Sequence, residues 1–295
     1  MDIVRILESL LSRIRRVDSI ESRTIYLQEG IGRIEARQTE NAKTLREAEF
    51  RVFSQWGEDG IIQFLTRHVP VENKTFVEFG VQDYLESNTR FLMVKDNWSG
   101  LVVDGSVENV DRIRRSEIYW RHNVRAECAF ITRDNINDII RSAGIGGDIG
   151  LLSVDIDGND YWVWQAIDVV KPRIVVTEYN ARFGADRAVS VPYDPQFVRA
   201  HAHYSMIYYG ASLAALAQLG EAKGYNLVGC NSAGNNAFFV RKDIQPASLP
   251  SLSVREAYVR ASFRETRDPS GNLSFLSTTE EQKLLETLPL VDLSS

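Results

Sequence analysis

The chain lacks the features that mark several common protein classes. It has two cysteines in 295 residues, Cys128 and Cys230. They are too few and too widely spaced for a disulfide framework or a cysteine-held metal, and they are expected as small core residues in strands, in a reducing compartment. No apolar run approaches the roughly 20 residues that a membrane-spanning helix needs. Acids and arginines interrupt the apolar positions at the N-terminus, which does not fit a signal peptide, so cytoplasm is the expected location. Positive charge is not in surplus: 34 Lys and Arg face 40 Asp and Glu, a net −6. A general nucleic-acid partner is not expected, since phosphate affinity comes from clustered Lys and Arg. There is no GxxxxGK[ST] and no internal repeat. A dinucleotide-type GxGxxG is also missing. Only Gly80 follows the first predicted strand, and the later glycine positions hold Gln82 and Tyr84.

What is present is an ordinary globular composition, 44% hydrophobic and 25% charged, enough for one large core or one domain with an appendage. Residues 1–48 stand apart. With Ile3 as position a, ten of the fourteen a and d positions from Ile3 to Ala48 are apolar, a seven-residue spacing that favours a coiled coil. Gly30 and Gly32 weaken that helix and are expected to bend or break it. A homo-oligomer joined through residues 1–48 is the expected assembly. Residues 49–242 form the main domain. Residues 243–295, punctuated by proline and serine, are expected to pack on it as an appendage.

Ser54 reads as the N-cap of a helix whose first turn holds Glu58 and Asp59, where the helix dipole favours acids. That reading leaves Gln55 and Trp56 unexplained. Strand, loop and helix then alternate five times. The strands are TFVEF, GLVVD, the run near Val124–Phe130, LLSVD and RIVVTEYN. Ser212 and Gly224 bound a helix, and YNLVGC and NAFFVR form a closing hairpin. The expected fold is α/β: a doubly wound, mostly parallel seven-stranded sheet of Rossmann-like type with an N-terminal coiled-coil helix.

Four of the strands end in acids: Glu78, Asp104, Asp155 with Asp157, and Glu178. Core packing gives no reason for charge at successive strand ends. In such sheets ligands bind at the carboxyl ends of the strands, and Asp104 stands where a carboxylate would take ribose hydroxyls. The glycine-rich stretch Ala143–Gly150 precedes a strand and reads as a turn. The long irregular stretch after Asn180, with His201 and His203, is of the length that is usually functional.

VEFG with its following Asp83, the acid of VVDG, SVDIDGND and KPRIVVTEYN together resemble the FkbM-type S-adenosylmethionine-dependent methyltransferases. SQWGEDG and YYGASLAAL extend the likeness, which covers about residues 54–241. The resemblance implies an enzyme that transfers a methyl group from S-adenosylmethionine to a hydroxyl of a sugar or glycoconjugate acceptor. It implies cofactor contacts at Gln55, Glu78, Gly80, Asp83, Asp104 and Asp155, with Asp104 taking both ribose hydroxyls. A sugar hydroxyl is a poor nucleophile and needs a base or a metal ion. The base candidates are Asp155, Asp157, His201 and His203, with Asp155 preferred. Mg²⁺ held by Asp155, Glu178 and Asn180 is the metal alternative. The non-enzymatic alternative is a methyltransferase-like scaffold that works through its coiled coil.

Overall fold

The computed structural model describes residue 20 and residues 23–294. The coiled-coil expectation for residues 1–19, 21 and 22 lies outside the described residues. The strand registers follow from the alternation of side chains between two covered faces. In β1 (Thr75–Phe79), Phe76 faces one core, and Val77 and Phe79 face the other. The same division runs through β2 (Ser99–Asp104), where Val102 opposes Leu101 and Val103. It recurs in β4 (Gly147–Val154) and β5 (Val170–Glu178). Both faces are apolar because both are covered by helices.

In chain order the helices are α1 over 23–38, α2 (Leu45–Ala48), α3 (Glu58–His68), α4 (Arg90–Asp96), α5 (Val107–Arg115), α6 (Glu117–Arg121), α7 (Ile136–Ser142), α8 (Asp160–Ala166), α9 (Arg199–Ala202), α10 (Leu213–Ala222), α11 (Val254–Ala257) and α12 (Thr278–Glu286). The remaining strands are β3 (Val124–Cys128), β6 (Val189–Ser190), β7 (Tyr225–Cys230), β8 (Asn236–Arg241) and β9 (Val291–Asp292). Helices α3, α4 and α5 cover one sheet face, and α7, α8 and α10 the other.

The main sheet has seven strands in the order β3-β2-β1-β4-β5-β8-β7. Strands β1 to β5 pair in parallel, and β8 runs antiparallel to both neighbours. The order reverses between β1 and β4. Their carboxyl ends therefore part and open a crevice, the ligand position of doubly wound sheets. The α/β, mostly parallel, Rossmann-like expectation is met.

Three local expectations are corrected. The N-cap of helix α3 is Gly57, not Ser54. Its start is set by Asp59, which turns back to the chain before it. Cys128 is exposed, because β3 is the edge strand of the sheet. Helix α1 runs unbroken through Gly30 and Gly32. A Cβ on Gly32 would lie 2.5 Å from Val52 and 2.8 Å from Phe91, so the missing side chain lets the helix lie close against the domain. Ile25 and Ala36 join that contact. The heptad residues face away from it: Leu27, Ile31 and Ile34 are 67%, 57% and 55% exposed.

Residues 243–294 share the main cores through Leu249 and Ala257. Tyr258 donates to the Ala181 carbonyl and Tyr179 to that of Val259, while β9 pairs with β6.

Candidate active site

Two adjoining clefts open at the carboxyl edge of the sheet, of about 240 and 200 Å³. Gly80, Gln82, Asp155 and Asp157 line both. The larger cleft is walled by the ends of β1, β4 and β5, with Gln55 and Trp56 on one side and Arg199, Tyr209 and Phe263 on the other. The smaller lies over β2, between Asp104, Phe130 and Phe197.

The loop after β1 holds them apart. Gly80 has φ +73°, and a Cβ there would sit 1.7 Å from the Asp155 carbonyl oxygen. Glycine is thus required for β1 and β4 to meet at their tips. Gln82 (φ 49°) and Tyr84 (φ 64°) also adopt the left-handed conformation, although neither is glycine. Such residues cost of order 1 kcal/mol each and persist only when their surroundings hold them. The Gln82 amide donates to Asp104 Oδ2, and the buried Tyr84 hydroxyl bonds Thr89. The backbone therefore keeps a glycine-type path where the sequence has no glycines.

Glu78 braces the far end of this loop. Its carboxylate accepts from the Asn88 and Thr89 amides and from the Thr89 hydroxyl. Burial pushes its pKa from 4.5 up to about 7, against the pull of those bonds. Glu78 reaches the cleft wall, but its oxygens serve the loop. Asp104 accepts from Gln82 N, Ser106 N and Asn109 Nδ2. A carboxylate has about four lone-pair sites, so Asp104 keeps about one for a ligand, fewer than two ribose hydroxyls need. Asp83 is not on either cleft. It faces Arg112 at 3.7 Å and lines a separate cavity beneath α1.

The three acids after β4 have three different settings. Asp160, at the start of α8, accepts from Ile156 N and Gly158 N and closes the turn between them. Gly158 lies under the Phe197 ring, where a Cβ would sit 2.2 Å from the ring. Asp157 pairs with Arg199 at 2.6 Å. Asp155 has no hydrogen-bond partner among the described residues and faces both clefts. Burial, then the charges of Asp157 and Asp160, raise its pKa well above the usual carboxylate range.

Glu178, at the tip of β5, is 7% exposed, and its Oε2 has no partner among the described residues. Burial and the neighbouring Asp155 push its pKa up strongly. Asp155, Asp160 and Glu178 each bring a carboxylate oxygen within 4.8 Å of the others. Each Asp160 oxygen accepts one amide hydrogen and keeps a lone pair, so the three form a candidate cation site in which Asp155 and Glu178 are the two fully open carboxylates.

Besides Asp83, three expected site residues point elsewhere: Asn180, His201 and His203. Asn180 is fully buried. Its amide nitrogen donates to the Ile207 and Tyr209 carbonyls, and its oxygen accepts from Arg182 N. It ties the irregular segment to β5 and offers no ligand atom, so the set Asp155, Glu178 and Asn180 is not assembled. His203 bonds Ser205 through Nδ1 and packs on Tyr204, away from both clefts. His201 is exposed on α9.

Four further residues form the wall, Arg199, Tyr209, Phe263 and Glu265, and of these only Tyr209, within YYGASLAAL, had a signal in the sequence. Arg199 lies 3.8 Å from the Tyr209 ring centroid and bonds Asp157 and Glu265, both at 2.6 Å. Trp56 stacks on Phe263 at 5.6 Å, with ring planes 21° apart. The run of aromatics up to Tyr209 was the one legible hint. Gln55 and Trp56 owe their place to Asp59, whose Oδ2 accepts the Val52, Phe53 and Ser54 amides at 2.7 Å.

No family model matches the sequence, and no curated protein matches it. Solved structures do match. One is an S-adenosylmethionine-dependent methyltransferase from Clostridium acetobutylicum, at 12% identity and TM-score 0.40, over 62% of this chain and 90% of that one. Another is an O-methyltransferase family protein from Burkholderia thailandensis, at 12% identity and TM-score 0.38, over 62% and 58%. A third is the O-methyltransferase from Bacillus cereus in complex with SAH, at 13% identity and TM-score 0.35, over 62% and 78%.

Proposed function

We propose that this chain is an S-adenosylmethionine-dependent O-methyltransferase acting on a sugar or glycoconjugate hydroxyl. The observation that carries the reading is the pair of clefts meeting at Asp155. One cleft lies beside a strand-two acid and mixes polar groups with Phe130, Ile131 and Phe197. The other is polar, with an aromatic wall and open carboxylates. A cofactor and an acceptor placed in the two would meet at the tip of β4.

The cofactor supplies a methyl group on a sulfonium. Asp104, with its remaining lone pair, suits a ribose hydroxyl in the smaller cleft. Asp155 lines both clefts and, unlike Asp157, has no ion-pair or hydrogen-bond partner among the described residues, and its raised pKa makes it a better proton acceptor than an ordinary aspartate. It would take the proton from the acceptor hydroxyl. Displacement at a methyl group requires an in-line approach, so the walls contribute chiefly by alignment. The Trp56–Phe263 stack lines the larger cleft, and the exposed part of Trp56 offers an aromatic surface to a sugar ring. Asp157 holds Arg199 and serves the wall. In the metal alternative, Asp155 and Glu178, with the remaining lone pairs of Asp160, would hold Mg²⁺ with water completing its shell, and such an ion would lower the pKa of the acceptor hydroxyl. The heptad stripe exposed on α1 supports the homo-oligomer reading.

Transfer of a labelled methyl group to a saccharide acceptor tests this reading. Asp155→Ala should bind S-adenosylmethionine within about threefold of wild type and lose at least about 10²-fold in turnover, the range general-base catalysis contributes. Undiminished turnover in Asp155→Ala would remove it as the base.

A further inference from the structure

The larger cleft is lined by six carboxylates and one guanidinium: Glu78, Glu86, Asp155, Asp157, Glu178 and Glu265 against Arg199. Most of that negative charge is already satisfied. Glu86 pairs with Arg51 at 3.1 Å, and Asp157 and Glu265 share Arg199. Glu78 accepts the three hydrogen bonds from Asn88 and Thr89. Asp155 and Glu178 remain. Neither has a cation within 4 Å among the described residues, and Glu178 is more than nine-tenths buried with Oε2 unpartnered. Buried charge is costly unless it is paired. Two such carboxylates side by side, on the wall of an open cleft, lack a positive counterpart.

We propose that the acceptor carries an ammonium group which seats between Asp155 and Glu178, so that the cleft selects an amino sugar over neutral and acidic sugars. This rests on the methyltransferase reading of the same site and names its substrate class. The aromatic wall takes the C–H face of the ring, and the carboxylate pair takes the ammonium. An anionic acceptor, such as a uronate or a phosphorylated sugar, meets repulsion from the same pair. The sulfonium of the cofactor adds one positive charge against the two unpaired carboxylates and does not cancel both.

Calorimetric titration of the full chain, saturated with S-adenosylhomocysteine so that nothing turns over, tests this. The probes are glucosamine, glucose, glucuronate and Mg²⁺. Glucosamine should bind at least about tenfold more tightly than glucose, the ratio expected for one charge-assisted contact. Glucuronate should bind most weakly. Raising the salt concentration should weaken glucosamine alone. Glu178→Gln should lose the glucosamine preference while binding S-adenosylhomocysteine like wild type, which also reports an intact fold. Equal affinity for glucosamine and glucose, or no binding of glucosamine, overturns the proposal. So does displacement of glucosamine by millimolar Mg²⁺, which would make the pair a metal site. Failure of S-adenosylhomocysteine to bind counts against the methyltransferase reading instead. The charge preference is then read on the unliganded protein.

Discussion

Replacing Asp59 with asparagine should stabilise this protein at neutral pH, although Asp59 is among its most heavily bonded side chains. Its Oδ2 accepts three backbone amides at 2.7 Å and the Ser54 hydroxyl at 2.8 Å, and its Oδ1 has no partner. Even so, burial lifts its pKa from 3.8 to about 6. A raised folded-state pKa means that the neutral acid suits the fold better than the anion. The stability from the neutral form is full below about pH 4 and is lost as pH rises through about 6. Above that, about two pKa units at 1.36 kcal/mol each make a penalty of about 3 kcal/mol. Asparagine carries no charge and can keep its oxygen at the Oδ2 position. Its NH₂ then falls where Oδ1 already lacks a partner, at a further cost of about 1 kcal/mol. The net gain is about 2 kcal/mol, or about 3 °C in Tm for a chain of this size. Alanine at the same position strands three buried amides and should lose about 3 kcal/mol or more. Thermal unfolding by circular dichroism at pH 4.5 and 7.5 measures both. The reasoning fails if Asp59→Asn is destabilised like Asp59→Ala, or if its gain is the same at the two pH values.

Three further outcomes follow from the same geometry. Gly80→Ala places a methyl group against the Asp155 carbonyl at a positive φ, so it should lower Tm by about 10 °C or abolish folding. A wild-type Tm would refute the close approach of β1 and β4. Glu78, with a pKa near 7, and Asp160, with a pKa near 6, are both raised by burial. Stability of the unliganded protein should therefore fall from pH 5 to pH 8, and Glu78→Gln should flatten that slope; a slope unchanged in Glu78→Gln would locate the titration elsewhere. Activity should rise with pH on a limb above the ordinary carboxylate range, because Asp155 must be ionised to act as base. An acid limb near pH 4 would contradict its burial.

The sheet was legible because its strands are short runs of strand length and four of the parallel ones, β1, β2, β4 and β5, are apolar runs leading into an acid, which fixes both direction and edge. The seating of Asp155 followed from its place at the tip of β4. What escaped was whatever depends on partners distant in sequence. Asn180 and Glu178 lie two residues apart on one strand end. Only the chain at Ile207–Tyr209, folded back over β5, decides that Asn180 is a brace while Glu178 stays open. Arg199, Phe263 and Glu265 come from segments with no periodic signal. Ser54 looked like a helix cap, and its hydroxyl does bond Asp59, but Asp59 caps the preceding backbone and moves the helix start to Gly57. Gly32 looked like a helix breaker and is a contact point, which only the position of Phe91 reveals.

The central claim is that the smaller cleft binds S-adenosylmethionine through the acid at the end of β2. Calorimetric titration of wild type and Asp104→Ala with S-adenosylmethionine tests it most directly. Wild type should bind one equivalent, and Asp104→Ala should bind at least about tenfold more weakly, the loss expected for one charge-assisted hydrogen bond. No binding by wild type, or equal binding by the two proteins, would contradict the account.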